Sequence, residues 1–145
     1  MKLRLLWVLV AGLFLAADDE AVKKEYKNFT GTWKFVSLEV DGVNVGIEAV
    51  KEARLIIKGN EFSMKSPEGT HKGTYKVDLS KKPKQIDIVF TEGPEKDKTL
   101  LGIYELDGDT YKVCIAMENN KNRPMEFASK PGSGHVLEVL KREKP

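Results

Sequence analysis

His71, His135, Cys114, Ser133 and a few paired carboxylates are the residues in this chain whose types suit bond-making chemistry. Both histidines read as lying on the inward phase of a strand, so a metal or ligand pair inside a β structure is the sharpest role open to them. Two ligands make a poor metal site, and no third histidine or suitably spaced carboxylate joins them. The expectation is hydrogen-bonded histidines near a rim, with no metal and no cofactor. Cys114 sits mid-strand on the phase opposite Val113 and Ile115, without the base or positive setting that activates a thiol, and reads as structural. Ser133 lies in Pro131-Gly132-Ser133-Gly134-His135, which precedes a strand. A nucleophile elbow needs a strand–turn–helix context, and a phosphate cradle needs a following helix. Glu92/Glu95 and Asp107/Asp109 fall in loops and turns, and Lys81-Lys82-Lys84 is broken by Pro83. No catalytic residue emerges, and enzyme activity is not expected.

The elements that carry these residues follow from periodicity and turn chemistry. The spacing of Val22, Tyr26 and Phe29 predicts one short helix over Asp18 to Phe29. From Thr32 onward the period is two, and eight strands are predicted: 32–40, 53–58, 61–65, 70–78, 85–91, 99–106, 110–117 and 135–142. Gly59-Asn60 as a two-residue turn pairs Ile57 with Phe62 and Leu55 with Met64, and a four-residue loop then pairs Met64 with His71 and Phe62 with Gly73. Each register puts the apolar residues of both strands on one face, and a one-residue slip would scramble them. The strand 32–40 changes phase, with Trp33 and Phe35 on one side and Val36, Leu38 and Val40 on the other, so a bulge is expected near Phe35-Val36. A polar loop is expected at Asp41 to Gly46.

Short hairpin connections leave no room for parallel crossovers. The predicted fold class is therefore all-β, an eight-stranded antiparallel up-and-down barrel with a short N-terminal helix, which closes on itself and so has no exposed edges. An open sheet or a sandwich is the alternative. A barrel of eight strands either fills with side chains or holds one small ligand. Its expected lining is Phe35, Leu55, Phe62, Met64, His71, Tyr75, Phe90, Tyr104 and Tyr111, with Gly73 and Gly102 opening space between them.

Two resemblances enter at these residues. Gly31-Thr32-Trp33, after a helix and opening the first strand, resembles the Gly-x-Trp signature of lipocalins and related calycin barrels. That resemblance implies that Trp33 closes the barrel base with a basic residue, Lys141 or Arg142, packed across it by a cation–π contact. The strings GTWKFVSLEVDG, LLGIYELDGDTYKVCIA and RPMEFASKPGSGHVLEVLKR further resemble an exported lipocalin-like domain family of unknown function, abundant in planctomycete bacteria. The resemblance implies a calycin-like barrel in the bacterial cell envelope or exterior, and no activity.

Residues 1–17, MKLRLLWVLVAGLFLAA, have a basic start, an uncharged apolar run from Leu5 to Leu15 and small residues before Asp18, the pattern of a signal peptide. Residues 18–145 then form one domain, expected to be secreted or periplasmic after cleavage, monomeric and without a membrane span. The chain has 145 residues, 24 basic and 22 acidic. Taking Lys2 and Arg4 away with the leader leaves 22 against 22, which removes any argument for nucleic acid. Two functions remain: a binding protein holding a small apolar ligand inside the barrel, or an interaction or inhibitory module with a filled core. The second would meet an exported protein partner through the loops at 41–46, 80–84, 92–98 and 118–126.

Overall fold

The computed structural model describes residues 19–144, so the expected leader lies outside the described residues. A helix, α1, covers 19–29. It is followed by the strands β1 (Gly31–Val40), β2 (Val43–Val45), β3 (Arg54–Lys58), β4 (Glu61–Ser66), β5 (Gly69–Asp78), β6 (Lys84–Glu92), β7 (Thr99–Asp107), β8 (Thr110–Ala116) and β9 (His135–Arg142). All neighbours are antiparallel, and β9 returns to pair with β1. The result is a closed eight-stranded antiparallel barrel with one short N-terminal helix, as the hairpin pattern predicted.

The registers follow the expected ones. Ile57 pairs with Phe62 and Leu55 with Met64, then Met64 pairs with His71 and Phe62 with Gly73. The phase change in β1 is a bulge: Phe35 pairs with Leu140 and Ser37 with Val139, leaving Val36 as the extra residue, 42% exposed. Trp33 and Phe35 face inward before it and Leu38 after it. A similar insertion leaves Thr91 unmatched in β6, between the pairs Lys72–Glu92 and Gly73–Phe90.

The stretch expected as a loop at 41–46 contains β2, which pairs with Leu38–Val40. Asp41 and Gly42, both at positive φ, make the two-residue turn that such a hairpin needs. Three residues are too few to show a period of two, so this strand had no signature of its own. β2 and β3 share the same edge of β1, one at each half, and a single 3-10 turn (Ile47–Ala49) joins them.

The barrel is closed at the end where α1 enters. Trp33 and Phe29 are fully buried there, and the Phe29 ring meets those of Tyr75, Tyr104 and Tyr111 at centroid distances of 5.3, 5.2 and 5.1 Å. Trp33 Nε1 donates to the Phe29 carbonyl at 2.8 Å, which fixes the helix to the strand it precedes. Arg142 lies over the Trp33 ring at 4.4 Å and donates to the carbonyls of Thr30 (2.6 Å) and Asn28 (2.5 Å) and to Asp109 (3.0 Å). Of the two basic residues expected to close the base, Arg142 does so and Lys141 is exposed.

Outside the barrel, the segment 117–134 folds back over β7 and β8. Pro124 within it is fully buried, and the outward-facing side chains Ile103, Cys114 and Ala116 are buried as well. Ser129 Oγ accepts from Gly42 N at 3.0 Å and donates to the His135 carbonyl at 2.8 Å, tying the segment to the β1–β2 turn. Arg123 donates to the carbonyls of Ile86 and Gly102 and pairs with Asp87 at 2.6 Å.

Because the Trp33 ring is fully enclosed, Trp33→Ala should destabilise the protein by about 3–5 kcal/mol in equilibrium denaturant unfolding. A loss below about 1 kcal/mol would mean that the ring does not hold the base.

Candidate functional site

The opposite end of the barrel is open. Residues of and beside the 3-10 turn, of the β4–β5 turn and of the β6–β7 loop border its mouth, and within lies a cavity of about 560 Å³. Eight of the nine expected lining residues border it: Phe35, Leu55, Phe62, Met64, His71, Tyr75, Phe90 and Tyr111. Leu38, Val50, Leu100, Val113, Ile115 and Val136 add to an apolar wall, while Glu68, Glu95 and Lys98 stand at the mouth. Glu95 and Lys98 pair with each other at 2.5 Å.

Tyr104 is the exception among the expected lining residues. It is fully buried at the closed end, below the cavity, where its hydroxyl donates to Glu25 Oε2 at 2.6 Å. Glu25 comes from α1 and also accepts from Lys84 at 3.1 Å. Burial, reinforced by the hydrogen bond to Glu25, holds the Tyr104 phenol far above its usual range, so it remains a donor. Alternation placed Tyr104 on the inward face, but the helix that plugs that end takes up its depth of the barrel.

Gly73 and Gly102 do not open space. A Cβ on Gly73 would collide with the Val89 carbonyl and the Phe62 ring, and one on Gly102 with the Cys114 carbonyl. Neighbouring atoms already fill the volume that their missing side chains leave, so these glycines permit close approach.

The two histidines lie on opposite sides of the barrel wall. His71 lines the cavity and sits edge-on to Phe90 at a centroid distance of 6.2 Å. His135 faces outward, contrary to expectation, with Nε2 3.3 Å from the Asn122 carbonyl. The inward residues of β9 are Val136, Glu138 and Leu140. β9 carries apolar residues on both phases, with Leu137 and Val139 half-buried on the outer one. The periodicity that should have revealed the inward side was therefore flat. Cys114 takes the outward phase as expected and is sealed under that segment, its thiol 3.4 Å from the Ala128 carbonyl. Burial pushes this thiol up from its ordinary value.

Sequence reasoning missed Glu138. Its carboxyl projects into the cavity from β9, flanked by Leu38 of β1 and Val113 of β8. Among the described residues it has neither a hydrogen bond nor an ion pair, and it is half-buried on the cavity wall. Burial, the only cause at work, pushes it up from 4.5 to about 7. Tyr111 is its diagonal neighbour across the β8–β9 pair, and burial together with the Glu138 charge raises that phenol well above its ordinary value. The Tyr111 hydroxyl also lacks a hydrogen-bond partner among the described residues. The site is thus an apolar, aromatic chamber with one unpaired carboxyl and one unpaired phenol on its wall.

No protein-family model matches this chain, and no curated protein matches it. Among solved structures, the chain is similar to a DUF4847 family protein from Bacteroides vulgatus. The two are 14% identical, the match covers 80% of this chain and 94% of that one, and the TM-score is 0.47.

An acid whose pKa is higher in the folded state keeps its proton through a window in which the unfolded chain has lost it. For Glu138 that window runs from 4.5 to about 7, so its effect is a loss of stability as pH rises through it. Glu138→Gln should raise stability at pH 8 by up to about 3 kcal/mol, at about 1.4 kcal/mol per pKa unit, and change it little at pH 4. Urea unfolding of both proteins at the two pH values checks this, and equal gains at both would contradict it. Cys114 should react with a thiol-specific reagent only at the rate of unfolding. Immediate reaction in native buffer would show that the covering segment does not seal it.

Proposed function

We propose that this chain is an exported lipocalin-like binding protein that holds a small, largely apolar ligand inside its barrel. The observation that carries the reading is the cavity of about 560 Å³, open at one end and walled by aromatic and aliphatic side chains. Volumes of roughly 300–1,000 Å³ with a few convergent polar groups are typical of small-molecule sites. The lipocalin-like part of the reading draws on Gly31-Thr32-Trp33 at the barrel base, with Arg142 across the ring. Export draws on the leader pattern of residues 1–17. Among the described residues no helix is long and apolar enough to cross a membrane. The interaction-module alternative required a filled core. The cavity favours the ligand reading over it, and part of the 118–126 loop is packed on the barrel wall instead of being free to meet a partner.

Titration with N-phenyl-1-naphthylamine, an uncharged fluorescent probe, tests the reading. The mature protein should enhance the probe's emission saturably at one equivalent. Leu100→Trp, which puts an indole into the chamber, should weaken binding at least about tenfold while leaving the fold intact by circular dichroism, since a lost pocket contact of about 1.4 kcal/mol is worth that factor. Absence of saturable binding, or binding indifferent to Leu100→Trp, would rule the chamber out as the site.

A further inference from the structure

The chamber has more chemistry than an apolar ligand requires. A carboxyl placed on the wall of an apolar cavity loses hydration, and the loss is repaid only if a partner compensates the charge. No partner is present in the barrel itself: Glu138 has no cation or donor against it among the described residues. The lysine that borders the cavity, Lys98, stands at the mouth and is paired with Glu95. Tyr111, beside Glu138, offers a second oxygen without a partner. The rings of Phe35, Phe62 and Phe90 line the same space.

We propose that the cavity selects a cationic amine with an apolar body, its ammonium group held by Glu138 and Tyr111 and its hydrocarbon part packed in the aromatic chamber. This rests on the ligand-binding reading above and names the ligand's class. An ammonium carries three donors and no acceptor, which suits two carboxylate oxygens and a phenol oxygen. Aromatic faces around it add cation–π attraction, strongest where water is excluded. An alcohol would leave the charge of Glu138 uncompensated, and a carboxylate ligand would add a second negative charge beside it.

The proposal has a pH signature. Bound ammonium requires ionised Glu138, whereas the empty cavity favours the protonated acid up to about pH 7. The groups facing Glu138 are Tyr111 and, through the wall, Cys114 on β8, while β1 presents only Leu38. Across the chamber stand Tyr75 and His71, with Glu68 and the Glu95–Lys98 pair at the mouth. His71 is another ionisable side chain on the cavity wall, so His71→Gln serves as the control.

Calorimetric titration of the mature protein with n-decylamine, n-decanol and n-decanoate tests the proposal. At pH 8 the amine should bind at least about tenfold tighter than the alcohol, and the carboxylate weakest. Glu138→Gln should abolish the preference for the amine while decanol still binds. Lowering the pH from 8 to 6 should weaken decylamine binding roughly tenfold, as the ionised fraction of Glu138 falls, in wild type and His71→Gln but not in Glu138→Gln. Equal binding of amine and alcohol to the wild type, or tightest binding of decanoate, overturns the amine proposal and leaves the ligand reading standing. An amine preference or pH response that survives in Glu138→Gln overturns the assignment of that residue. If none of the three binds, both readings fall.

Discussion

A sheet that closes on itself has one seam that no hairpin can make, where the first strand meets the last. In this protein the seam joins β1 to β9, whose pairing partners are more than a hundred residues apart at the closed end of the barrel, Trp33 opposite Arg142. Everything at that end supports this contact. Arg142 caps the Trp33 ring, bonds the carbonyls of Asn28 and Thr30 and pairs with Asp109, so one side chain links the α1–β1 junction, β9 and the β7–β8 turn. The guanidinium suits the position because its planar fork can stack on an aromatic face and donate to several acceptors at once, which an ammonium cannot do. The buried indole N–H is satisfied by the Phe29 carbonyl, so the ring adds packing without an orphaned donor.

Firm closure at one end lets the other remain open. Three of the polar side chains at the base are matched: Tyr75 donates to the Gly59 carbonyl at 2.6 Å, and Tyr104 and Lys84 both serve Glu25. Stability is concentrated in the cluster around Phe29, Trp33 and the tyrosines, and the upper half of the barrel is left with a wall instead of a packed core. On that wall Glu138 breaks the pattern of the base, and so does Tyr111, whose ring packs on Phe29 and Trp33 at the floor of the cavity, since neither has a partner among the described residues. The satisfied Tyr75, Tyr104 and Lys84 mark the structural end of the molecule, while the unpaired Glu138 and Tyr111 border the cavity above it.

The segment 117–134 adds a second, smaller core on the outside. By covering Ile103, Cys114 and Ala116 it makes part of the barrel wall apolar on both faces. Arg123 anchors it by donating to backbone carbonyls of two adjacent strands, and Ser129 joins it to the turn after β1. This loop therefore belongs to the fold as much as the hairpins do, although it contains no regular element.

Local chemistry in the sequence determined the eight strands of the barrel, the turn at Gly59-Asn60, the bulge near Phe35-Val36 and the cross-strand registers, because a period of two and a two-residue turn admit only one pairing that keeps the apolar residues together. The short β2 was too brief to show in it. It also determined eight of the cavity-lining positions, which alternate regularly on strands whose outer faces are mostly polar. Three features were decided only by the tertiary structure. Tyr104 lies below the cavity because α1 occupies the base, and no pattern within β7 encodes how deep a helix from elsewhere will sit. Gly73 and Gly102 are close contacts instead of gaps, because the volume that a missing side chain leaves depends on which ring or carbonyl moves into it. Glu138 faces inward and His135 outward because β9 pairs with β1 and β8 in that register, which its own pattern, apolar on both phases, does not encode. In a strand apolar on both phases alternation no longer distinguishes the faces, and a lone carboxyl between Leu137 and Val139 reads as solvent-facing until the fold turns it into the chamber.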